Sequence, residues 1–188
     1  MIHDNNAENT IESAISRSHP MISKMLKGSR WIDDGHEMAQ AIAKGSGRCV
    51  VDGSYHPEHK IGTAAFVFDD GADSIQASGC SRAFGNPDDM SSYRAELFGI
   101  YMALNITHLL CQQFHISNGA IEFGCDNIVA IQKGLGEMFY PNIQHTNFDL
   151  LWAIHHLRQL LPIEISFRHV RGHQDDIANA VLDRWATL

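Results

Sequence analysis

This sequence lacks the features that mark membrane and secreted proteins. No apolar run approaches the roughly 20 residues that are needed to cross a bilayer. The polar, acidic segment at residues 1–10 does not resemble a secretory signal. We therefore expect an intracellular protein, cytoplasmic or nuclear, with no membrane partner.

Cysteine is scarce, and its spacing excludes the common cysteine-based sites. The four residues are Cys49, Cys80, Cys111 and Cys125, and no two of them form a C-x-x-C pair. Neither a zinc site nor a disulfide framework is indicated. We expect buried free thiols in a reducing compartment.

An excess of positive charge is also missing. The 188-residue chain carries 14 basic and 22 acidic side chains, which give a net charge of −8. This balance argues against a non-specific nucleic-acid binder, which is usually basic. It is compatible with an enzyme that holds metal cations with carboxylates. With 44% hydrophobic and 19% charged residues, the chain has the composition of one soluble globular domain.

The sequence pattern changes near residue 47. Residues 1–47 are predicted to form a helical or irregular extension, in which Pro20, Gly28 and Gly35 interrupt short helices. Residues 44–48 are typical of a linker or turn.

Residues 48–188 alternate between strand and helix patterns. Strands are predicted at residues 49–51, 63–68, 74–84, 120–125 and 163–170, and helices at 92–112, 127–133, 147–161 and from about 176. Three consecutive strands predict an antiparallel meander, and the later alternation requires parallel pairing through crossover helices. The expected fold is α/β, with a mixed five-stranded sheet flanked by helices in the order β-β-β-α-β-α-α-β-α.

Two aspartates follow predicted strands. Asp52 follows the first strand and Asp126 the fourth. Each also has a local explanation, Asp52 as part of an Asp-Gly turn and Asp126 as a helix N-cap. If the two strands are neighbours, however, the carboxylates lie side by side, and a divalent cation would relieve their repulsion.

A third carboxylate, Glu96, lies near the start of the first long helix. The buried stripe of that helix is marked by Leu97, Ile100, Tyr101 and Leu104. Glu96 lies at the edge of the stripe, about 40° from Ile100 at 100° per residue. A glutamate there can point along the sheet. The alternative is a solvated first-turn glutamate that the helix dipole favours.

The last polar cluster follows the fifth strand. His173 lies in a loop rich in histidine, arginine and aspartate, where it is well placed to move protons. Asp183 lies ten residues later on the final predicted helix, and Asn179 stands four residues before Asp183 on the same face. A solvated charged loop and an ordinary polar helix face are the alternatives.

In combination, these segments resemble the type 1 ribonuclease H family, particularly the versions found in retroelement polyproteins. The resemblance covers about residues 48–188. The matching segments, in family order, are Asp52-Gly53-Ser54, Arg94-Ala95-Glu96-Leu97, Asp126-Asn127, the His-Val-Arg-Gly-His segment at residues 169–173, and Asn179 with Asp183.

The resemblance implies a ribonuclease H-like fold and a two-metal endonuclease that hydrolyses the RNA strand of RNA/DNA hybrids. RNA specificity is expected from contacts to 2′-hydroxyls, and the extension at residues 1–47 favours an origin in a larger retroelement polyprotein. His173 is expected to assist proton transfer or product release. The implied ligands of two Mg²⁺ or Mn²⁺ ions are Asp52, Glu96, Asp126 and Asp183. The implied substrate contacts are Gly53, Ser54, Ser92, Arg94 and Asn127.

The sequence departs from the family mainly around the substrate. Residues 55–60 replace a glycine-rich turn, and Ser92 and Tyr93 replace asparagines. The loop after His173 carries Asp175 and Asp176, either of which could replace Asp183 as a metal ligand.

Two other functions stay open. A degenerate ribonuclease H-like domain of a retroelement would bind nucleic acid without cutting it, although the complete carboxylate set and the acidic charge argue against this. A transposase- or integrase-like strand-transfer domain would share the fold, but such domains generally lack the His-Val-Arg-Gly-His segment.

Overall fold

The computed structural model describes residues 9–136 and 142–170. The helices are α1 (Ile11–Arg17), α2 (Pro20–Leu26), α3 (His36–Lys44), α4 (Ser92–Gln113), α5 (Ile128–Gly134) and α6 (Phe148–Leu160), with a 3₁₀ helix at Pro87–Asp89. The strands are β1 (Arg30–Trp31), β2 (Gly47–His56), β3 (Ile61–Asp69), β4 (Ile75–Arg82), β5 (Ala120–Cys125) and β6 (Glu164–His169).

The strands form one mixed sheet with the order β1-β4-β3-β2-β5-β6. Strands β1, β4, β3 and β2 pair antiparallel, as expected for a meander. Strands β2, β5 and β6 pair parallel, because helices connect them. The protein is therefore α/β, and across residues 9–136 and 142–170 its sheet has six strands rather than the five predicted.

The additional strand is β1, in the N-terminal extension. Arg30 pairs with Ser78 and Trp31 with Ala77, at the edge of the sheet. The Trp31 ring also stacks on Phe68, with 6.5 Å between the ring centroids. Two residues are too few to show the alternation that identifies strands in a sequence, so only the pairing reveals β1.

The extension shares the hydrophobic core of the sheet. Side chains from α1, α2 and α3 belong to the same buried cluster as Phe66 on β3 and Leu97 on α4. The largest of these extension side chains are Ile11, Met25, Leu26, Met38 and Ile42, each at most 2% exposed. Residues 11–44 are therefore packed structure on this sheet.

Residues 44–48, predicted as a linker or turn, form a tight turn and not a linker. Gly45 adopts a left-handed conformation with φ +78° and ends α3, and its backbone N–H bonds to carbonyls of the last turn. Strand β2 then begins at Gly47. The chain passes from helix to strand through a two-residue connection, because Gly45 reverses its direction.

The central helix α4 begins where its sequence predicted and ends one residue later. The Ser91 hydroxyl caps it by accepting a hydrogen bond from the Arg94 N–H at 3.1 Å. The helix is buried on most sides, between the sheet and α6. Nowhere in residues 9–136 and 142–170 does a helix combine the length and the apolar character that crossing a membrane requires.

The cysteines are free, as expected, but one of them is exposed. Cys49, Cys111 and Cys125 are buried, whereas Cys80 on β4 faces solvent. The reason is strand alternation: the neighbouring Gly79 packs against the Phe66 ring in the core, so Cys80 points to the opposite face.

Candidate metal centre

Asp52 and Asp126 come from neighbouring parallel strands. The register of β2 and β5 ends with Val50 opposite Gly124, and the two aspartates lie two residues farther along each chain. Asp126 directly follows β5, as predicted. Asp52 lies inside β2 rather than after it, because β2 continues in antiparallel pairing with β3 as far as His56.

Glu96 reaches the same end of the sheet from the first turns of α4. Only 6% of this residue is exposed. The backbone of α4 lies directly on β2 at Gly53, where a Cβ atom would come within 2.4 Å of the Glu96 nitrogen. The absence of a side chain at Gly53 therefore allows the close approach that brings Glu96 to the two aspartates.

Burial and like charge act together on Glu96. Burial is the main reason that the pKa of Glu96 rises to about 8, and the charges of Asp126 and Asp52 raise it further. Hydrogen bonds from the Cys125 thiol and the Gly53 backbone oppose this rise. Of the three carboxylates predicted to converge, Asp126 and Asp52 are thus each close enough to Glu96 to interact with it electrostatically.

Cys125 is part of the site, which the sequence analysis did not predict. Its Sγ donates a hydrogen bond to Glu96 Oε2 at 3.3 Å. Donor atoms of Glu96, Cys125 and Asp126 all lie within 4.8 Å of one another, so this group could hold a metal ion. Strand alternation was the available signal, because Phe123 and Cys125 lie two residues apart on β5 and both belong to the core cluster.

The Asp126 backbone is held in place by β6. The Nε2 atom of His169 lies 2.8 Å from the Asp126 carbonyl oxygen, and since a carbonyl only accepts, Nε2 carries the hydrogen. The Val170 N–H also donates to the Cys125 carbonyl at 2.9 Å. The first histidine of the His-Val-Arg-Gly-His segment therefore positions the turn that presents Asp126.

Asn127 caps the helix after the site. Its side-chain oxygen accepts from the N–H groups of Val129 and Ala130 at 3.1 and 3.0 Å. The N-cap role considered for Asp126 thus belongs to Asn127, which leaves the Asp126 carboxylate to face the site. A substrate contact by Asn127 stays a prediction, as do those of half-buried Ser54 and exposed Ser92.

Arg94 is 4% exposed and makes structural contacts. Its guanidinium donates to the Phe84 carbonyl at 3.1 Å and to the Asn147 side chain at 3.2 Å, and it pairs with both carboxylate oxygens of Asp149 at 2.9 and 2.6 Å. Gly85, with φ +137°, leaves room for this group, since a Cβ there would lie 2.7 Å from Arg94 Nε. These contacts join α4 to the start of α6, and a substrate contact by Arg94 stays a prediction.

Part of the predicted site lies outside the described residues. These positions are His173, Asp175, Asp176, Asn179 and Asp183. Their predicted roles, including the choice of the fourth carboxylate, stay predictions.

Comparison with known proteins gives no family for this chain. No protein-family model matches the sequence, and no curated protein matches it significantly.

Proposed function

We propose that this protein is a divalent-metal-dependent endonuclease that hydrolyses the RNA strand of RNA/DNA hybrids. The observation that carries the proposal is that Asp52, Glu96 and Asp126 lie at one end of a mixed sheet, where burial, with a further contribution from the two aspartate charges, raises the pKa of Glu96 to about 8. The family resemblance of residues 48–188 supplies the substrate class.

The donor set fits a hard divalent cation. Carboxylate oxygens are preferred by Mg²⁺ and Mn²⁺, and three carboxylates interact here. In the metal-free protein, burial and the Glu96 charge raise the pKa of the Cys125 thiol, so this side chain is not a ready thiolate ligand. It acts instead as a hydrogen-bond donor to a ligand, a role that orients metal-binding side chains.

Asp52, Glu96 and Asp126 would hold the cations, and the family resemblance implies Asp183 as a fourth ligand. Two bound ions would neutralise the scissile phosphate and supply Lewis acidity. The protein itself contributes carboxylates on rigid elements, with Gly53, Cys125 and His169 fixing their positions. His173 is expected to assist proton transfer, a kind of help that contributes roughly 10²–10⁴-fold to a rate.

The test is cleavage of end-labelled duplexes of one sequence, prepared as RNA/DNA hybrid, RNA duplex and DNA duplex. We expect cleavage of the hybrid RNA with Mg²⁺ or Mn²⁺ and none with EDTA. Asp126→Asn should abolish turnover with little loss of stability, because it removes a repelling charge and keeps the shape. Asp89→Asn, an exposed position on the 3₁₀ helix, is the matched control.

The same assay separates the alternatives. Hybrid binding without cleavage under any cation would favour the degenerate nucleic-acid-binding domain. Joining of DNA ends would favour a strand-transfer domain. Undiminished hybrid cleavage by Asp126→Asn would show that the three carboxylates are not the catalytic site.

A further inference from the structure

A second polar site lies where the N-terminal extension meets β4. It is a groove of about 380 Å³ between the end of α2 and the end of β4. Its charged lining side chains are Lys24 and Lys27 from α2 and Arg82 from β4. The remaining lining residues are Ser81, Ala83, Phe84 and Gly85.

The groove is cationic in an acidic protein. None of the described residues that line it is an aspartate or a glutamate, although the chain as a whole has a net charge of −8. Within the part of the chain that the structure describes, no ion pair involves Lys24, Lys27 or Arg82. All three residues are exposed. Their mutual repulsion would be relieved by an anionic ligand.

The basic side chains of the groove are carried by elements that pack on the core. Lys24 and Lys27 are three residues apart, so they lie on one face of α2. The two residues between these lysines, Met25 and Leu26, are each at most 2% exposed and anchor the helix in the core. The chain after α2 runs along β4, since a Cβ on Gly79 would lie 3.1 Å from the Ser29 Cα.

The groove lies at the same end of the sheet as the carboxylates. Across the sheet, Arg82 pairs with Thr63, which pairs with Ser54, two residues after Asp52. Arg82 is therefore two strands, or roughly 10 Å, from the β2 segment that follows Asp52. With about 3.4 Å of axis per base pair, that separation corresponds to about three phosphates along a duplex.

We propose that this groove binds the phosphate backbone of the nucleic-acid duplex, away from the cleavage site. The inference deepens the proposed function and rests on it for the identity of the duplex. The carboxylates bind cations and repel the backbone when metal-free, so a separate cationic contact is needed to hold the duplex. The N-terminal extension provides two of the three basic side chains of the groove, Lys24 and Lys27.

Phosphate contacts predict a specific dependence on salt. Each neutralised phosphate contributes about 0.9 to the negative slope of log affinity against log salt for a B-form DNA duplex. Replacing one of the three basic side chains with glutamine should reduce the magnitude of this slope by about one. Replacing all three should reduce it by up to about three and raise the Kd at 100 mM salt by about tenfold or more.

The experiment measures fluorescence anisotropy of a labelled RNA/DNA hybrid in EDTA, where no cleavage occurs, from 50 to 300 mM KCl. Wild type is compared with Lys24→Gln, Lys27→Gln, Arg82→Gln and the triple variant. Lys44→Gln is the matched control, because Lys44 is exposed at the end of α3, beside the opposite end of β2. Thermal unfolding of each variant verifies the fold, and hybrid cleavage is assayed separately with Mg²⁺.

A weaker affinity and a smaller slope for the groove variants, with Lys44→Gln unchanged, support the proposal. They support it even if wild type cuts no hybrid, in which case only the proposed nuclease function fails. A triple variant with wild-type Kd and slope overturns the groove as a phosphate site, and wild-type cleavage would then leave the nuclease function standing. Failure of wild type to bind the hybrid in EDTA also overturns the groove as a phosphate site, and the cleavage assay with Mg²⁺ then decides the nuclease function on its own.

Discussion

Gly53 and Glu96 are in backbone contact across the junction of β2 and α4. A Cβ on Gly53 would lie 2.4 Å from the Glu96 nitrogen and 2.5 Å from the Ala95 carbonyl carbon. These are backbone atoms, so a side-chain rotation cannot relieve the clash. The Gly53 backbone also donates a hydrogen bond that stabilises the ionised Glu96.

Gly53→Ala should therefore separate α4 from β2 and displace Glu96. Overpacking of this kind costs about 1–3 kcal/mol, and a shift of about 1 Å at a catalytic group can cost about 10²-fold in rate. Denaturant unfolding and hybrid cleavage measure the two effects. The control is Gly134→Ala at the end of α5, where the nearest atom to a Cβ is 3.4 Å away. Equal losses of stability and of cleavage rate in the two variants would contradict the expected clash at Gly53.

The raised pKa of Glu96 predicts how the stability of the metal-free protein depends on pH. In the unfolded chain Glu96 loses its proton near its ordinary pKa of 4.5, whereas in the folded protein it keeps the proton until about pH 8. The contribution of Glu96 to the free energy of unfolding is therefore fully present below about pH 4.5, decreases as the pH rises to about 8, and is constant above that. Each unit of difference between the folded and unfolded pKa corresponds to about 1.4 kcal/mol.

Glu96→Gln should remove this loss, because glutamine does not ionise. Urea unfolding in EDTA from pH 4 to 9 is the measurement, and the stability of the variant relative to wild type should grow across that window. Glu58→Gln, in an exposed turn, serves as control. If the free energies of unfolding of wild type and Glu96→Gln differed by the same amount at every pH, the raised pKa of Glu96 would be refuted. Added Mg²⁺ should restore wild-type stability at pH 8.

Cys125 should influence metal affinity through Glu96. Loss of an outer-shell partner typically costs 10–100-fold in metal affinity. We expect Cys125→Ala to raise the Mg²⁺ concentration for half-maximal activity by about tenfold or more, and Cys125→Ser to stay close to wild type because it keeps a donor. Cys49→Ala removes an equally buried thiol that does not contact Glu96, and it should leave the titration unchanged. If both alanine variants raised the Mg²⁺ concentration for half-maximal activity equally, the cause would be general destabilisation instead.

Arg94 should be required for stability. Arg94→Lys cannot reproduce the bidentate pair with Asp149 together with the bond to the Phe84 carbonyl, and hydrogen bonds to charged groups are worth about 1.5–3 kcal/mol each. We expect the free energy of unfolding to fall by about 2 kcal/mol or more. Arg168→Lys, whose partner Glu122 is on the surface at 3.0 Å, should cost under about 1 kcal/mol.

The same Arg94 variant tests the predicted substrate contact. If Arg94 contacts the substrate, hybrid affinity in EDTA should fall under conditions where the variant is folded. Unchanged affinity would restrict Arg94 to its structural contacts with Phe84, Asn147 and Asp149.

Local signals were sufficient for the regular elements. Strand β5 occupies the residues predicted for it, and α4 begins after the predicted cap at Ser91 and ends one residue beyond its predicted end. Apolar periodicity and capping chemistry act over a few residues, so a sequence displays them directly. The length of β2 was underestimated because Asp52, Gly53 and Ser54 carry a turn signal, which pairing with β3 overrides.

The sequence by itself determined the α/β class, most of the elements, and the residue types capable of metal chemistry. Only the tertiary structure decided that β2 and β5 are neighbours, that Glu96 packs beside Cys125, and that the extension joins the core with strand β1. Strand order and helix packing depend on contacts between residues far apart in the chain. Such contacts form when the whole core closes, and no short segment encodes them.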